Sequence, residues 1–455
     1  MAYNSINPYN GETLGSFEEL DAKQLESTVQ AAQRCFEQDW RARSFGERAA
    51  VVKRAAALMR ERSDELAKLI TLEMGKLIAQ SAGEVALSAA ILDYYADHAE
   101  SFLAPEPLES TNGKAVVESC PVGVLLGIEP WNYPYYQIAR FAAPNLMAGN
   151  VVMVKHSSSV PQCALAFAQC LADAGAPEGA YSNLFISKDQ ISQLIDDPRI
   201  RGVALTGSEA AGAVVAARAG EKLKKSTLEL GGSDAFIVLD DANLEKAVKS
   251  AVAGRMGNSG QACTASKRFI VLDALADQFL EKFQQALGKF SAGDPLDPDT
   301  TMAPLSSAQA LDNLVEQVER AVASGARVVI GGERIPGEGA FMQPTILTDI
   351  DPSNPAYKEE FFGPVALFFR VADEDAAVAL ANDSPFGLGG TVFTEDIERG
   401  KRLARRIDTG MVFINSAAVS KPDLPFGGVK HSGYGRELSC AGIQEFVNKK
   451  LIRVA

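Results

Sequence analysis

Val203-Ala204-Leu205-Thr206-Gly207-Ser208-Glu209-Ala210-Ala211-Gly212 passes from a short apolar run through a glycine turn into the helical run Ala213 to Ala219. A strand that turns at glycine and enters a helix leaves free N–H groups and the positive end of a helix dipole facing the same space, which suits a phosphate. There is no GxGxxG here, so the stretch also reads as a simple turn. Around it, short apolar runs alternate with helical segments: Val122 to Ile128, Val151 to Val154, Val203 to Leu205, and Phe236 to Leu239. Strands flanked by helices in this rhythm predict parallel βαβ units, hence an α/β fold with a Rossmann-like dinucleotide-binding half. The rhythm resumes with Arg268 to Leu272, a helix through Leu287, Arg327 to Ile330, Val365 to Arg370 and a helix at 373 to 382, predicting a second α/β domain.

With 455 residues, the chain exceeds one simple core, and two or three domains are expected. Hydrophobic residues make up 47% and charged residues 22%, a globular balance that supports a large core. The formal net charge of -14 argues against a nucleic-acid or anionic-membrane partner, because phosphate backbones need clustered Lys and Arg; a local basic pocket stays compatible with it. The six cysteines, at 35, 120, 163, 170, 263 and 440, form no CxxC pair or metal-ligand spacing, which points to a reducing, cytoplasmic compartment. The start, Met1 to Asn10, lacks the basic and apolar segments of a secretory signal, and no stretch approaches about eighteen uninterrupted apolar residues. His98, His156 and His431 read as solvent-facing or packing residues, with no spacing that suits a metal.

Residues 22 to 101 read as helices. Asp21 and Ser44 are predicted N-caps, with Glu47 completing a capping box, and Leu25, Val29, Ala32 and Phe36 form an apolar stripe. Ser63 starts another helix, and the run from Lys76 to Leu103 places Val85, Ile91, Leu92 and Tyr95 on one side.

Cys263 lies in Gly257-Asn258-Ser259-Gly260-Gln261-Ala262-Cys263-Thr264-Ala265, small and polar residues that can bring a backbone and a thiol close to a substrate. A lone cysteine is otherwise a small buried hydrophobe. Other segments accompany it: Pro130-Trp131-Asn132-Tyr133-Pro134, Leu228-Glu229-Leu230-Gly231-Gly232, Glu360-Phe361-Phe362-Gly363-Pro364, and Pro425-Phe426-Gly427-Gly428 with Lys430, Ser432 and Gly433. In this order and spacing the chain resembles the aldehyde dehydrogenase superfamily from about Ile6 to its C-terminus.

That resemblance implies an NAD(P)-dependent oxidation of an aldehyde. Cys263 would add to the carbonyl, the side-chain amide of Asn132 and the Cys263 N–H would hold the oxyanion, Glu229 would activate water, and Glu437 would help relay the proton. Independently, Glu229 sits between two leucines, where a carboxylate is costly unless paired or raised in pKa, a state that suits a base; an outward-facing strand residue is the alternative. Asn132 reads alternatively as a turn residue before Pro134. Ala265 stands where many semialdehyde-oxidising relatives carry a second cysteine, so no redox-switch disulfide is expected in this loop.

For the cofactor, the resemblance implies contacts from Gly207, Ser208, Gly212, Leu230, Glu360 and Phe362, with Trp131 on the floor. Strict NAD users of the family carry glutamate in the place of Ser158, where it repels a 2′-phosphate. Ser158 removes that repulsion and Lys155 can pair with ribose or phosphate, so NADP is expected to be preferred and NAD accepted. A polar loop without nucleotide contact is the alternative.

Arg140 falls nine residues after Trp131, as in succinate-semialdehyde dehydrogenases, where the corresponding arginine grips the substrate carboxylate at the far end of a tunnel. Ser420 would add a hydrogen bond, and a surface salt bridge is the alternative for Arg140. The second arginine of better-known relatives is replaced by Gly257, and the texture resembles the short bacterial and cyanobacterial branch. Another small aldehyde or semialdehyde, a coenzyme A acyl-transferring enzyme and a catalytically silent protein on the same fold are the competing readings. The resemblance further implies a nucleotide-binding domain over 1–102 and 122–231, a catalytic domain over 232–430, and a small β arm over 103–121 and 431–455 that reaches a neighbouring subunit of a homodimer or homotetramer. For Lys114 to Val122 and Lys449 to Val454, edge strands of the parent sheet are the alternative.

Overall fold

The computed structural model describes residues 3–110 and 113–454; Met1, Ala2, Thr111, Asn112 and Ala455, which the expected domain division includes, lie outside the described residues. The helical N-terminal region forms as its caps predict. Asp21 and Ser44 each close a capping box, the latter with Glu47, over the helices Ala22–Gln38 and Phe45–Glu61. Helices Ser63–Met74 and Ile78–Phe102 follow, and the second buries Val85, Ile91, Leu92 and Tyr95.

These helices cover a six-stranded sheet ordered Gly433–Tyr434, Lys225–Glu229, Ile200–Thr206, Val124–Glu129, Val151–His156, Tyr181–Asn183. Every pair is parallel except the first, which runs antiparallel. Parallel strands covered on both faces are expected to be apolar throughout, as the buried Val124, Leu125 and Leu126 are. The strand starts after Val122 because the N–H groups of Val122 and Gly123 turn toward Asn150 Oδ1, at 2.7 and 3.0 Å.

A seven-stranded sheet forms the second half: Arg327–Ile330, Thr345–Thr348, Val365–Val371, Ser266–Leu272, Asp234–Val238, Gly390–Phe393, Phe413–Ile414, parallel except for the first pair. One face packs Phe236, Phe269, Phe279, Phe283 and Phe393 into an aromatic core. Lys114–Pro121 pairs with Val447–Val454 and with Glu106–Leu108 in a separate three-stranded antiparallel sheet, so these strands do not edge either main sheet. The C-terminal strand of this small sheet begins only at Val447. Gly433–Tyr434 bonds to the first sheet, and the helix Ser439–Ile443 buries Ile443 in the first core.

The register sets the C-terminal ends of neighbouring strands side by side: His156 opposite Glu129, Ile128 opposite Leu205, and Thr206 opposite Glu229. Ligands of open α/β sheets bind outside such ends.

Of the three histidines, His156 is fully buried, with Nε2 donating to Pro134 O at 2.9 Å and Nδ1 accepting from Ser157 N–H at 2.8 Å, which is the neutral ring. Burial lowers it from 6.5 to about 4. The unfolded ring gains its proton first as pH falls, so this group adds stability above about pH 6.5 that is lost on acidification, about 2 kcal/mol by pH 5. The melting temperature is therefore expected to fall more steeply between neutral pH and about pH 5 in the parent than in His156→Gln; parallel slopes would contradict the assignment.

Candidate active site

The loop carrying Cys263 is forced into a rare shape. Asn258, Ser259 and Gly260 are left-handed in succession, with φ of 51°, 50° and 76°. For the two non-glycine residues this costs of order 1 kcal/mol each, so surrounding bonds must hold them. Asn258 Nδ2 donates to the carbonyls of Asn132 and Gln261, both at 3.1 Å, and Ser259 Oγ donates to Ala303 O at 2.7 Å. The fully buried Arg255 donates to Gly260 O at 2.7 Å. A Cβ on Gly260 would stand 2.2 Å from the Gly363 carbonyl oxygen, so the close approach requires glycine.

Beyond this loop opens a cavity of about 300 Å³, into which Cys263, Asn132 and Glu229 all face. The Asn132 amide donates to Gln261 O at 3.1 Å, which ties it to the cysteine loop, and its Oδ1 is buried without a partner. Glu229 ends the strand Lys225–Glu229 with both carboxylate oxygens buried and unpartnered. Burial, then the negative charge of Glu437, holds it well above the usual carboxylate range. Cys263 is only half-buried on the cavity wall, yet the packed protein around it raises its thiol to about 12, against the pull of Arg140 and Lys267. In the free protein the thiol and Glu229 both favour their protonated forms.

Behind the cavity lies a buried charge cluster. Arg140, 1% exposed, pairs through Nε with Glu437 and donates to Thr206 Oγ1 at 3.1 Å and to the Tyr136 hydroxyl at 3.3 Å. Its guanidinium also stacks over the rings of Tyr136 and Phe426. Arg140 is thus no surface salt bridge; it is a buried cation already engaged by Glu437. Ser420 lies near the Tyr136 hydroxyl, at the edge of the same group.

The expected cofactor residues divide. Trp131, Gly207, Ser208, Leu230, Glu360 and Phe362 line the cavity, and the Trp131 and Phe362 rings meet edge to face with centroids 5.8 Å apart. The helix beyond the glycine turn is Glu209–Glu221, capped by Ser208, whose Oγ accepts from Ala211 N–H at 3.3 Å. It starts four residues ahead of Ala213 because that cap satisfies its first turn. Gly212 lies within the helix, where a Cβ would meet Leu230 at 2.7 Å. A Cβ on Gly231 would fall 2.4 Å from Glu360 Oε2, so a glycine is what lets this carboxylate sit at the cavity edge. Lys155 and Ser158 lie away from the cavity: Lys155 in the adjacent strand, Val151–His156, half-buried with Nζ 5.5 Å from the Tyr3 ring centroid, and Ser158 exposed in the turn after it. A glycine turn, a capped helix and this polar strand end fit a dinucleotide along the sheet's edge.

The profile described as "Aldehyde dehydrogenase family" matches residues 1–452. The chain belongs to the aldehyde dehydrogenase family. It is 55% identical over 449 residues to a succinate-semialdehyde dehydrogenase (NADP+) of Deinococcus radiodurans, covering 99% of this chain and 94% of that one. A protein of Synechocystis sp. described as a probable succinate-semialdehyde dehydrogenase (NADP+) is 46% identical, with both chains fully covered. The crystal structure of succinic semialdehyde dehydrogenase from Streptococcus pyogenes in complex with NADP+ superposes with a TM-score of 0.98 at 47% identity, again over the whole of both chains.

Within this aldehyde dehydrogenase fold, several charged residues escaped the sequence reading. Glu129 ends an apolar strand as Glu229 does, so the signal that marked one was present for the other; both its carboxylate oxygens are buried and unpartnered, close to Arg140 and Glu437. Lys76 and Glu84 form a buried ion pair at the root of the Asn132 turn. Glu84 Oε1 accepts from the N–H groups of Tyr135 and Tyr136, at 2.9 and 3.2 Å, and Lys76 donates to Asn132 O at 2.8 Å. Only the fold brings this pair to Asn132.

Proposed function

We propose that this family member oxidises succinate semialdehyde to succinate, with NADP preferred and NAD accepted. The observation that carries the reading is the convergence of Cys263, Asn132 and Glu229 on one cavity that continues into the glycine turn at Gly207. The names borne by relatives at 46% and 55% identity supply the substrate and the nucleotide.

The Cys263 thiol releases its proton to solvent, and the thiolate sulfur adds to the aldehyde carbon while the Asn132 amide and the Cys263 N–H hold the oxyanion, each donor contributing about 3 kcal/mol. NADP, when bound against Gly207, Ser208, Leu230, Glu360 and Phe362, supplies the hydride acceptor. Loss of hydride leaves a thioester on Cys263. Glu229 takes a proton from water as the water oxygen attacks the acyl carbon, the carbon–sulfur bond breaks, and the acid departs. Glu437, seated behind Glu229, passes the proton onward. A base present in the site is what favours water over coenzyme A as the acyl acceptor.

Arg140 provides the positive charge for the distal carboxylate, with Ser420 beside it through Tyr136. Supporting this is a guanidinium buried among aromatic rings, where a charge-assisted bond is strong. Arg140→Ala is expected to lower kcat/KM for succinate semialdehyde by about a hundredfold more than for butanal. Equal losses would discard the carboxylate contact. At the nucleotide end, Ser158→Glu places a carboxylate against a 2′-phosphate and is expected to lower the NADP to NAD ratio of kcat/KM by about tenfold or more; an unchanged ratio would remove Ser158 from the site.

The two main sheets support a nucleotide-binding domain over 1–102 and 122–231 and a catalytic domain over 232–430, with an arm over 103–121 and 431–455 whose C-terminal strand starts at Val447. Exposed Leu108, Leu451 and Val454 on the three-stranded sheet support a homo-oligomer that covers them. Six free cysteines support a cytoplasmic setting. Among the described residues no helix is long and apolar enough to cross a membrane.

A further inference from the structure

Lys267, the second residue of the strand Ser266–Leu272, is completely buried. A buried ammonium is expensive unless all three of its donors are used. Here they are. Nζ donates to Ala262 O at 3.0 Å and to Cys263 O at 2.8 Å, and it pairs with Glu360 Oε1 at 2.9 Å. Glu360 Oε1 also accepts from Gly232 N–H at 3.1 Å, and the carboxylate lies at the cavity edge. Gly232 is itself part of the joint, since a Cβ there would stand 2.8 Å from Cys263 O. One cation therefore fastens the peptide of the candidate nucleophile to the carboxylate expected at the nicotinamide ribose.

We propose that Lys267 is a positioning residue that holds the Cys263 loop through its carbonyls and, together with Glu360, sets the reactivity of the Cys263 sulfur by opposed charges. The proposal rests on Cys263 and Glu360 having the roles given above, and adds a residue outside them. Glu229 faces the same cavity as the sulfur. Arg140 and Lys267 favour its anion and Glu360 and Asp234 oppose it, while Tyr133 faces it from the turn after Asn132. Arg255 and Arg268 flank the two carboxylates from behind. Lys267 is the cation bonded to the Ala262 and Cys263 carbonyls, Arg255 holds the loop further back at Gly260, and Glu360 is the anion bonded to Lys267.

The two charges predict effects of opposite sign, which a purely structural support does not. The test is the pH dependence of alkylation by iodoacetamide, followed at Cys263 by peptide mass analysis, with exposed Cys440 as the internal reference. Lys267→Met is expected to slow Cys263 alkylation at neutral pH by about tenfold, the consequence of one unit of thiol pKa. Glu360→Gln, which leaves the lysine unopposed, is expected to accelerate it severalfold. Lys267→Arg, which keeps the charge, is expected to recover much of the rate. Slower alkylation in both Lys267→Met and Glu360→Gln, or no change in either, would overturn the proposal. Should Lys267→Met not fold, Glu360→Gln alone decides, by faster or by unchanged or slower reaction. Alkylation needs no turnover, so failure here is distinct from failure of the aldehyde-oxidation reading, which shows as absence of reduced nicotinamide in the parent.

Discussion

Cys263→Ser is expected to lower aldehyde-dependent formation of reduced nicotinamide by about 10⁴-fold or more, with the fold intact. A serine hydroxyl has no base within the site strong enough to make it an equivalent nucleophile, and its acyl ester would differ from the thioester that water must cleave. The fold should persist because the left-handed turn is held by Asn258, Ser259, Gln261 and Arg255, none of which bonds the sulfur. Absorbance of the reduced nicotinamide, paired with a melting curve, measures both statements. A serine variant that turns over near the parental rate would remove the sulfur from the mechanism.

Glu229→Gln is expected to cut steady-state turnover by about 10²- to 10⁴-fold while keeping a burst of reduced nicotinamide of one equivalent per site. The hydride step precedes water attack, so loss of the base blocks only the release of the acyl group. Glutamine preserves the size of a side chain packed against Gly427, whose added Cβ would lie 2.7 Å from Glu229 Oε1. The sign of the pH dependence follows from the same site. Burial raises Glu229, and only its ionised form accepts a proton, so deacylation in the parent climbs as pH rises through that elevated value. In Glu229→Gln this limb should vanish. Loss of the burst together with turnover would place Glu229 before hydride transfer instead.

Much of the fold was legible because its signals are local. Capping boxes at Asp21 and Ser44 and apolar runs such as Val151 to Val154 specify their elements within a few residues. Boundaries were less so: Ser208 starts its helix ahead of the apolar run, and Gly433–Tyr434 becomes a strand only because Leu228 and Glu229 offer a ladder far away in sequence. The same division holds at the site. Cys263 and Asn132 were found through resemblance to a family, Glu229 also through its flanking leucines, whereas Lys76, Glu84 and Lys267 are ordinary surface-type residues in sequence that the fold buries and pairs. Arg140 was found through the same resemblance, but its engagement with Glu437 depends on a contact that no local pattern encodes.

The central claim is that the aldehyde carbon becomes bonded to the sulfur of Cys263. Mixing Glu229→Gln with succinate semialdehyde and NADP, quenching in acid and mapping the peptides by mass should find one succinyl group on the Cys263 peptide and on no other cysteine. An unmodified Cys263 peptide after a full burst of reduced nicotinamide would contradict the account.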